Sequence, residues 1–279
     1  MHGAGNDYIY IDATREWPVF DLHLLARKVS DRHFGIGADG LVVLLPSLRA
    51  DLRMRMFNAD GSEAQMCGNA SRCIALFARS RGLVHDDTFT LETNAGIKAL
   101  RINRGDNGAV HSVTVDMGTA SFDGSCLPAE RDDNARRKLI LATGDKAFTT
   151  VPVSMGNPHG VIFTDEISDE LVHKYGPLLE NHSRWPEKAN IEFVHRISPS
   201  EFEMRVWERG SGETLACGTG ACAAAAAAWL LGSTAGEIHL HLPGGILTVS
   251  RDDDGHILLT GPAAFVCDGV YYFDDSATC

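Results

Sequence analysis

The sequence of 279 residues predicts an α/β fold of two pseudo-symmetric lobes. One observation is a series of short segments in which apolar and polar residues alternate, which is typical of strands. A second is the alanine-rich segment Ala223 to Trp229, which begins shortly after Cys217, and a third is a similar helical segment after Cys67. Because a helix that is apolar all round must be buried, we expect each lobe to be a mostly antiparallel sheet curled around a central buried helix.

The two helical segments belong to an internal duplication. Cys67-Gly68 matches Cys217-Gly218 at a shift of 217 − 67 = 150 residues. Further matches are Glu63 with Glu213, residues 54–57 with 204–207, and a Gly-Asn pair ahead of each cysteine, Gly5-Asn6 and Gly156-Asn157. Several coincidences in register indicate a repeat. We therefore expect an N-terminal lobe of residues 1–117 plus 263–279 and a C-terminal lobe of residues 118–262, with the active site in the cleft between them.

The first half begins with a strand and a capped helix. Alternation predicts strands over residues 8–11, 41–45, 52–58, 89–92, 97–102 and 110–116. Leu22 to Val29 has helical spacing, with Asp21 as its N-cap. The helix after Cys67 is expected to run to about Ser80 and to be closed by Gly82.

The second half repeats this design. Strands are predicted over residues 139–141, 149–153, 161–163, 191–194, 202–208, 238–242 and 246–249. The last two flank Pro243-Gly244-Gly245, a hairpin signature. A helix is predicted over residues 170–179, and residues 263–273 are expected to form a strand that returns to the first lobe.

Composition and charge exclude several classes of protein. The net charge is −12 and no basic cluster is present, which argues against nucleic acid or an anionic membrane as a partner. The longest apolar stretch, around Ala221 to Leu231, is too short to span a bilayer. Since the N-terminus carries no charged-then-apolar signal, we expect a cytoplasmic protein.

The seven cysteines form neither a disulfide framework nor a zinc site. Their number is odd and no C-x-x-C pair occurs; they lie at positions 67, 73, 126, 217, 222, 267 and 279. We therefore predict no metal. Cys73, Cys126, Cys222 and Cys267 are interpreted as small buried hydrophobes.

Cys67 and Cys217 differ from the other cysteines because each precedes a glycine at a helix N-terminus. There, unpaired N–H groups and the helix dipole are expected to lower a thiol pKa and to attract an anion. Two such groups on opposite faces of one carbon are what stereochemical inversion needs. One thiolate would remove the α-proton, and the other cysteine, as a thiol, would return a proton from the far side.

In these segments the chain resembles the diaminopimelate epimerase family. The matching segments, in family order and spacing, are His2 to Tyr8, Asn58 to Cys73, Gly156-Asn157-Pro158-His159, Ala189 to Phe193 and Glu208 to Ala221. The resemblance implies a cofactor-independent isomerase that interconverts LL- and meso-2,6-diaminopimelate, in lysine and peptidoglycan precursor synthesis. It also implies a homodimer.

The resemblance further implies roles for individual residues. Cys67 and Cys217 would be the two catalytic bases, and His159 and Glu208 an auxiliary acid–base pair. The substrate-binding residues would be Asn6, Asn58, Gly68, Asn69, Asn157, Asn190, Glu208, Arg209, Gly218 and Thr219. Among them, the N–H groups at each helix start suit an α-carboxylate, and the planar fork of Arg209 suits a second carboxylate.

Other functions remain open from the residues. A racemase of the same superfamily for another amino acid, such as histidine, would keep both cysteines but lose the groups that hold the distal end of the substrate. A phenazine-type isomerase would lack the cysteine pair. A non-catalytic amino-acid-binding protein would need no proton-active group at Cys67 or Cys217, and deuterium incorporation at Cα distinguishes it from an enzyme.

Overall fold

The computed structural model describes residues 1–130, 132 and 137–273, so Cys279 lies outside the described residues. The chain divides into two compact units. Unit 1 comprises residues 1–115 and 261–279, and unit 2 comprises residues 116–260. Within the described residues, no helix has the length and apolar character needed to cross a membrane.

Unit 1 is a sheet with helices on both of its faces. Its elements are β1 (His2–Gly3), β2 (Asn6–Asp7), β3 (Ile9–Asp12), α1 (Leu22–Ser30), β4 (Gly40–Leu45), β5 (Leu52–Asn58), β6 (Glu63–Ala64), α2 (Gly68–Ser80), β7 (Thr88–Thr93), β8 (Gly96–Arg104) and β9 (Val110–Asp116). The strand order is β9-β8-β7-β5-β4-β3, with β6 on β5 and a separate β1–β2 pair. The pairs β3–β4 and β5–β7 are parallel, and the other neighbours that pair within this unit are antiparallel.

Strand β4 shows why both faces are covered. All six of its residues are buried, as in a strand with helices on both sides. Leu41, Val43 and Leu45 pack with Leu22 and Leu25 of α1. Asp21 caps α1 as predicted, because its carboxylate accepts hydrogen bonds from the backbone N–H groups of the first turn.

Unit 2 repeats the strand order of unit 1 and extends it. Its elements are β10 (Leu139–Ala142), β11 (Ala147–Ser154), β12 (Pro158–Thr164), a π-helical turn (Leu171–Tyr175), α3 (Gly176–Glu180), β13 (Asn190–Arg196), β14 (Glu201–Glu208), β15 (Gly212–Thr214), α4 (Gly218–Leu230), β16 (Ile238–Leu242), β17 (Gly245–Arg251) and β18 (Ile257–Gly261). The order is β10-β11-β12-β13-β14-β16-β17-β18, with β15 on β14. Here β12–β13 and β14–β16 are the parallel pairs, which correspond to β3–β4 and β5–β7.

One ion pair recurs at the same place in both units. Arg55 binds Glu63 through Nε–Oε1 (2.8 Å) and Nη2–Oε2 (2.9 Å), and Arg205 binds Glu213 through the same atoms at 2.7 and 3.0 Å. These two-pronged pairs lock β6 onto β5 and β15 onto β14. Each therefore fixes the short strand that leads into a cysteine.

The helices that follow the two cysteines are buried. Residues Ala221 to Ala228 of α4 are at most 5% exposed. Helix α4 packs against β11, β12 and β13 and also against β17, towards the other end of the sheet, so the sheet curves around it. Alanine side chains permit this close approach of helix and strands. The α/β fold class predicted from the sequence is confirmed.

One predicted element differs in detail and one is wrong. Residues 170–179 are helical as predicted, but a π-helical turn (Leu171–Tyr175) interrupts the helix ahead of Pro177, which has no N–H to continue the α-helical ladder. Residues 263–273 do not form a strand; only Ala264 pairs, with His2. The rest of that segment is held by side chains, as in the ion pair between Arg81 and Asp268.

Candidate active site

The first half-site begins at the tight turn between β1 and β2. Ala4 (φ 54°) and Gly5 (φ 84°) adopt left-handed conformations, which reverse the chain and present Asn6. The Nδ2 of Asn6 donates to Asp39 Oδ2 at 2.7 Å, and Asp39 also accepts from the backbone N–H of Asp7. This anchoring leaves the Oδ1 of Asn6 directed at the start of α2.

Cys67 is the N-cap residue of α2, in an extended conformation (φ −138°, ψ 126°). Its thiol donates to Asn6 Oδ1 at 3.5 Å, and Asn69 Nδ2 donates to the same oxygen at 3.2 Å. Asn69 in turn accepts from Arg72, a fully buried guanidinium that also donates to the carbonyl of Pro262. The structure thus brings Asn6, Cys67 and Asn69 together beside Gly68.

Asn58 has a structural role of its own at the end of β5. Its Nδ2 donates to Ser62 Oγ at 2.9 Å, and its backbone exchanges hydrogen bonds with Ser62 and Gly61. The side chain therefore helps to close the turn before β6. At a shift of 150 residues (208 − 58), its counterpart in unit 2 is Glu208.

The second half-site is built on the N-terminus of α4. Cys217 is the N-cap residue (φ −115°, ψ 111°), and its sulfur accepts from the backbone N–H of Gly220 at 3.4 Å. Thr219 Oγ1 lies 3.5 Å from the same sulfur. The residue is 6% exposed, whereas Cys67 is partly exposed.

The pKa of Cys217 overturns an expectation. Burial raises the pKa of this thiol well above 9.0, and the negative charges of Glu208 and Glu192 raise it further. The hydrogen bonds from Thr219 and Gly220 act in the opposite direction but are outweighed. The prediction that the helix N-terminus lowers the pKa is therefore wrong for Cys217, because burial and two nearby carboxyl groups dominate.

Glu208 ends β14 and lies beside Cys217. Burial raises the pKa of its carboxyl above 4.5, and Glu192 adds to this effect. Hydrogen bonds from Thr214 and Cys217, and the charge of His159, oppose the rise. Cys217, Glu208 and His159 therefore interact within one cluster of unit 2.

His159 lies fully buried in β12 between two oxygen atoms. Its Nδ1 is 2.7 Å from Glu192 Oε1, and its Nε2 is 3.0 Å from Asn157 Oδ1. The sheet explains this placement, since β12 and β13 are parallel, with His159 opposite Asn190 and Val161 opposite Glu192. Because Ile191 and Phe193 join the core on one face of β13, alternation turns Glu192 to the other face.

Asn190 is the first residue of β13, and Arg209 follows the last residue of β14. The amide of Asn190 donates to the carbonyl of Pro158 (3.0 Å) and accepts from the backbone N–H of Arg209 (2.9 Å). Arg209 is exposed, and its Nη1 donates to the carbonyl of Glu187 at 3.0 Å. Asn190 thereby ties this loop to the strand that carries His159.

Two buried carboxylates at this site were missed at the sequence level. Glu192 contacts His159, and Glu180 accepts from the backbone of Gly210 and from Trp207 Nε1. A signal for Glu192 was available, because a carboxylate stands between Ile191 and Phe193 in an apolar strand. No local pattern marked Glu180, whose partners are distant in sequence.

Comparison with known proteins decides the family. The sequence matches the diaminopimelate epimerase family over residues 1–122 and 151–266. The chain belongs to this family. The diaminopimelate epimerase of Desulforudis audaxviator is 48% identical over 96% of each chain. That of Geobacillus kaustophilus is 47% identical over 98% of this chain and 95% of its own, and that of Methanococcus maripaludis is 45% identical over 96% and 97%. The resemblance stated from the motifs is confirmed, and with it the enzyme class, an isomerase of the epimerase kind.

Solved structures of lower identity share the fold of this diaminopimelate epimerase family member. A hydroxyproline epimerase from Agrobacterium vitis superposes with a TM-score of 0.64 at 18% identity, covering 93% of this chain and 86% of its own. A Bacillus anthracis phenazine biosynthesis protein superposes with a TM-score of 0.61 at 19% identity, covering 94% and 91%. At these identities the likeness shows the fold alone.

Proposed function

We propose that this protein interconverts LL- and meso-2,6-diaminopimelate by moving the α-proton between the sulfur atoms of Cys67 and Cys217. The observation that carries the proposal is the repeated one: each unit presents a cysteine as the N-cap of a buried helix. Membership of the diaminopimelate epimerase family supplies the substrate. The reaction needs neither a metal nor an organic cofactor.

Each proton transfer balances without a redox change. The thiolate of one cysteine takes the Cα proton and becomes a thiol, while the C–H electron pair is delocalised into the substrate carboxylate. The thiol of the other cysteine donates its proton to the opposite face of Cα and becomes a thiolate. Configuration is inverted, and the two sulfurs have exchanged protonation states.

The helix ends supply the electrostatic part of the mechanism. Backbone N–H groups at Gly68-Asn69 and Gly218-Thr219 suit the α-carboxylate, on which negative charge grows as the proton leaves. In unit 1, Asn6 holds the thiol of Cys67 and the amide of Asn69 in one geometry, and in unit 2 Asn157 contacts the ring of His159. We infer that Asn6 orients Cys67 and Asn69, and that Asn157 orients His159.

The raised pKa of Cys217 assigns the first roles. Burial and two carboxyl groups favour the protonated form of this thiol, so we assign Cys217 as the first proton donor. Cys67 is then the first acceptor, once its thiol has ionised and given up its hydrogen bond to Asn6. Glu208 and His159 lie beside Cys217 and act as its auxiliary acid–base groups. For the reverse reaction the roles exchange.

Arg209 suits the distal end of diaminopimelate. A guanidinium has five N–H donors, and the hydrogen bond to Glu187 uses one of them. A distal carboxylate can accept from the others in the two-pronged geometry that arginine favours.

We also infer that the protein is cytoplasmic and forms a homodimer. Sedimentation of the purified protein tests the oligomeric state.

A substrate screen tests the proposed function. The purified protein is incubated in D₂O with LL-diaminopimelate, meso-diaminopimelate, histidine, lysine and proline, and inversion and deuterium at Cα are followed. We expect both with diaminopimelate only. Inversion of histidine at a comparable rate would make the protein a histidine racemase, and no exchange with any of the five would support the binding-protein alternative.

Single-cysteine variants test the two-sulfur mechanism. Cys67→Ala and Cys217→Ala should each lower the rate of inversion more than about tenfold, that is by more than about 1.4 kcal/mol in barrier. Cys267 is exposed, so its interpretation as a buried hydrophobe is wrong. Cys267→Ala is the matched control and should keep wild-type turnover. A variant of Cys67 or Cys217 that retained more than a tenth of the activity would contradict the mechanism.

A further inference from the structure

Glu192 is a buried acid that the two-sulfur mechanism does not use. It lies in the middle of β13, is 0% exposed, and makes one short contact, from Oε1 to His159 Nδ1 at 2.7 Å. Its Oε2 is buried with no hydrogen-bond partner among the described residues. Burying a carboxylate is costly unless it is paired. A carboxylate that is buried at this cost in free energy is expected to have a specific role.

The geometry around His159 defines what Glu192 does. With Glu192 ionised, Nδ1 of the ring carries a proton and donates to Oε1. The other ring nitrogen, Nε2, faces the Oδ1 of Asn157 at 3.0 Å. Contacts on both ring nitrogens hold the imidazole in one orientation. Glu192 therefore fixes the plane of the buried His159 ring, with Nε2 turned towards Asn157.

Gly220 leaves space for the carboxyl group of Glu192 beside the N-terminus of α4. A Cβ at position 220 would lie 2.7 Å from Glu192 Oε1 and 3.3 Å from Cys217 Sγ. Carbon atoms do not approach oxygen atoms at 2.7 Å without displacement. The absence of a side chain at Gly220 therefore lets the carboxylate, the imidazole and the sulfur share one space.

Unit 1 shows that the fold itself does not require this arrangement. At a shift of 150 residues (192 − 42 and 220 − 70), Glu192 corresponds to Val42 and Gly220 to Ala70. The registers agree, since Glu192 pairs with Val206 and Val42 pairs with Met56. The same strand and helix form in unit 1 with an apolar pair. The Glu192–Gly220 pair is therefore specific to the half-site of Cys217.

We propose that Glu192 is the positioning residue of the Cys217 half-site: it fixes the ring orientation of His159, and Gly220 makes room for it. Glu192 acts through His159 and does not touch the substrate. The proposal rests on the epimerisation proposed above. The groups that face this pair are Asn157 before β12, Glu208 from β14 and Cys217 from α4.

The first test is the isosteric variant Glu192→Gln. It replaces the carboxyl group by an amide of the same shape, which keeps an oxygen near Nδ1. We expect kcat for diaminopimelate to fall about 10- to 100-fold, as for other groups that orient a functional histidine, with KM within about threefold of wild type. Glu201→Gln is the matched control, because Glu201 also bonds a histidine, His241, at 2.6 Å. Glu201 is at the opposite end of β14 from Glu208, and this variant should retain wild-type kcat and KM.

The second test reads His159 directly, in substrate-free protein, by ¹⁵N NMR of the histidine rings with His159→Gln for assignment. In the wild type we expect the ring signals of one tautomer, with the proton on Nδ1 facing Glu192. In Glu192→Gln we expect these signals to shift, because an amide oxygen holds that proton less strongly than a carboxylate. Unchanged ring signals of His159 in the variant would overturn the proposal.

A third variant keeps the proposal testable if Glu192→Gln fails to fold. The double change Glu192→Val with Gly220→Ala installs the pair that unit 1 uses, so it should fold. We expect its kcat to be at least tenfold below wild type, with the ring signals of His159 shifted from those of the wild type. Wild-type kcat in the folded double variant would overturn the proposal. An inactive wild type would refute the proposed function instead and would leave the NMR result standing.

Discussion

Asn58 and Glu208 occupy equivalent positions in the two units but make different contacts. Asn58 in unit 1 closes a turn on Ser62, whereas Glu208 in unit 2 is partly buried beside Cys217. His159 and Glu192 are in the same unit as Glu208, and position 42, equivalent to Glu192, is an apolar valine. At the scale of single residues, the acid–base groups that we propose to assist the cysteines are therefore all in unit 2.

Replacing Glu208 should lower the turnover and raise the free energy of unfolding by an amount that depends on pH. Burial raises its pKa above the ordinary 4.5, so in the folded protein it binds a proton more tightly than in the unfolded chain. This contribution to stability is complete below about pH 4.5 and is lost as the pH rises through the folded pKa. We expect the free energy of unfolding of Glu208→Gln, relative to wild type, to increase between pH 4 and pH 8.

Urea unfolding of both proteins across this pH range is the measurement. A constant difference between Glu208→Gln and wild type would contradict the burial argument. We expect Glu208→Gln to have reduced turnover at every pH tested.

Arg209 should determine selectivity for a second carboxylate. A site built for polar groups rejects ligands that lack them by large factors. Arg209→Ala should lower kcat/KM for LL-diaminopimelate. This loss should be at least tenfold larger than the loss of kcat/KM for any monocarboxylic amino acid that the wild type turns over, or of affinity for one that it only binds. Arg196→Ala, an exposed arginine at the end of β13, is the control. Equal losses for both kinds of ligand would contradict this role.

At the scale of elements, the short helix α3 supports the loop that carries Arg209. Its residue Glu180 accepts hydrogen bonds from the backbone of Gly210 and from Trp207 Nε1, both at 2.9 Å. At Gly176, the start of α3, a Cβ would lie 2.8 Å from both Cβ and Cγ of Trp207. The helix is thus pressed against the strand that ends at Glu208.

A methyl group at Gly176 should therefore destabilise unit 2. We expect Gly176→Ala to lower the free energy of unfolding by about 1–3 kcal/mol, the usual effect of overpacking. Gly236→Ala is the control, because a Cβ there meets nothing within 4 Å. Urea midpoints measure both, and equal midpoints for the two variants would show that Trp207 moves aside without cost.

At the scale of the whole molecule, the proposed mechanism predicts a redox sensitivity. The six cysteines in the described part of the chain are free thiols. If Cys67 and Cys217 act on one carbon atom, closure around substrate should bring them near the separation that a disulfide requires. We expect oxidant to inactivate the protein and dithiothreitol to restore it. Peptide mass spectrometry of the oxidised, inactive protein should identify a crosslink between these two cysteines, and its absence would refute the prediction.

The sequence by itself determined the duplication, the cysteines at two helix starts, most strands and the family. These features depend on local alternation, on propensity and on repeated spacing, all of which are present along the chain. The limits of this information appear at residues 263–273, where an apolar segment reads as a strand but pairs only at Ala264.

Only the tertiary structure decided the protonation chemistry of the second half-site. His159 and Glu192 are 33 residues apart in sequence, and parallel pairing of β12 with β13 brings them together. The pKa of Cys217 rises because strands and helix bury it beside two carboxyl groups, an effect that outweighs the local one of a helix N-terminus. Burial and partners from distant segments set the energy of a charge, and neither can be read from the residues adjacent in sequence.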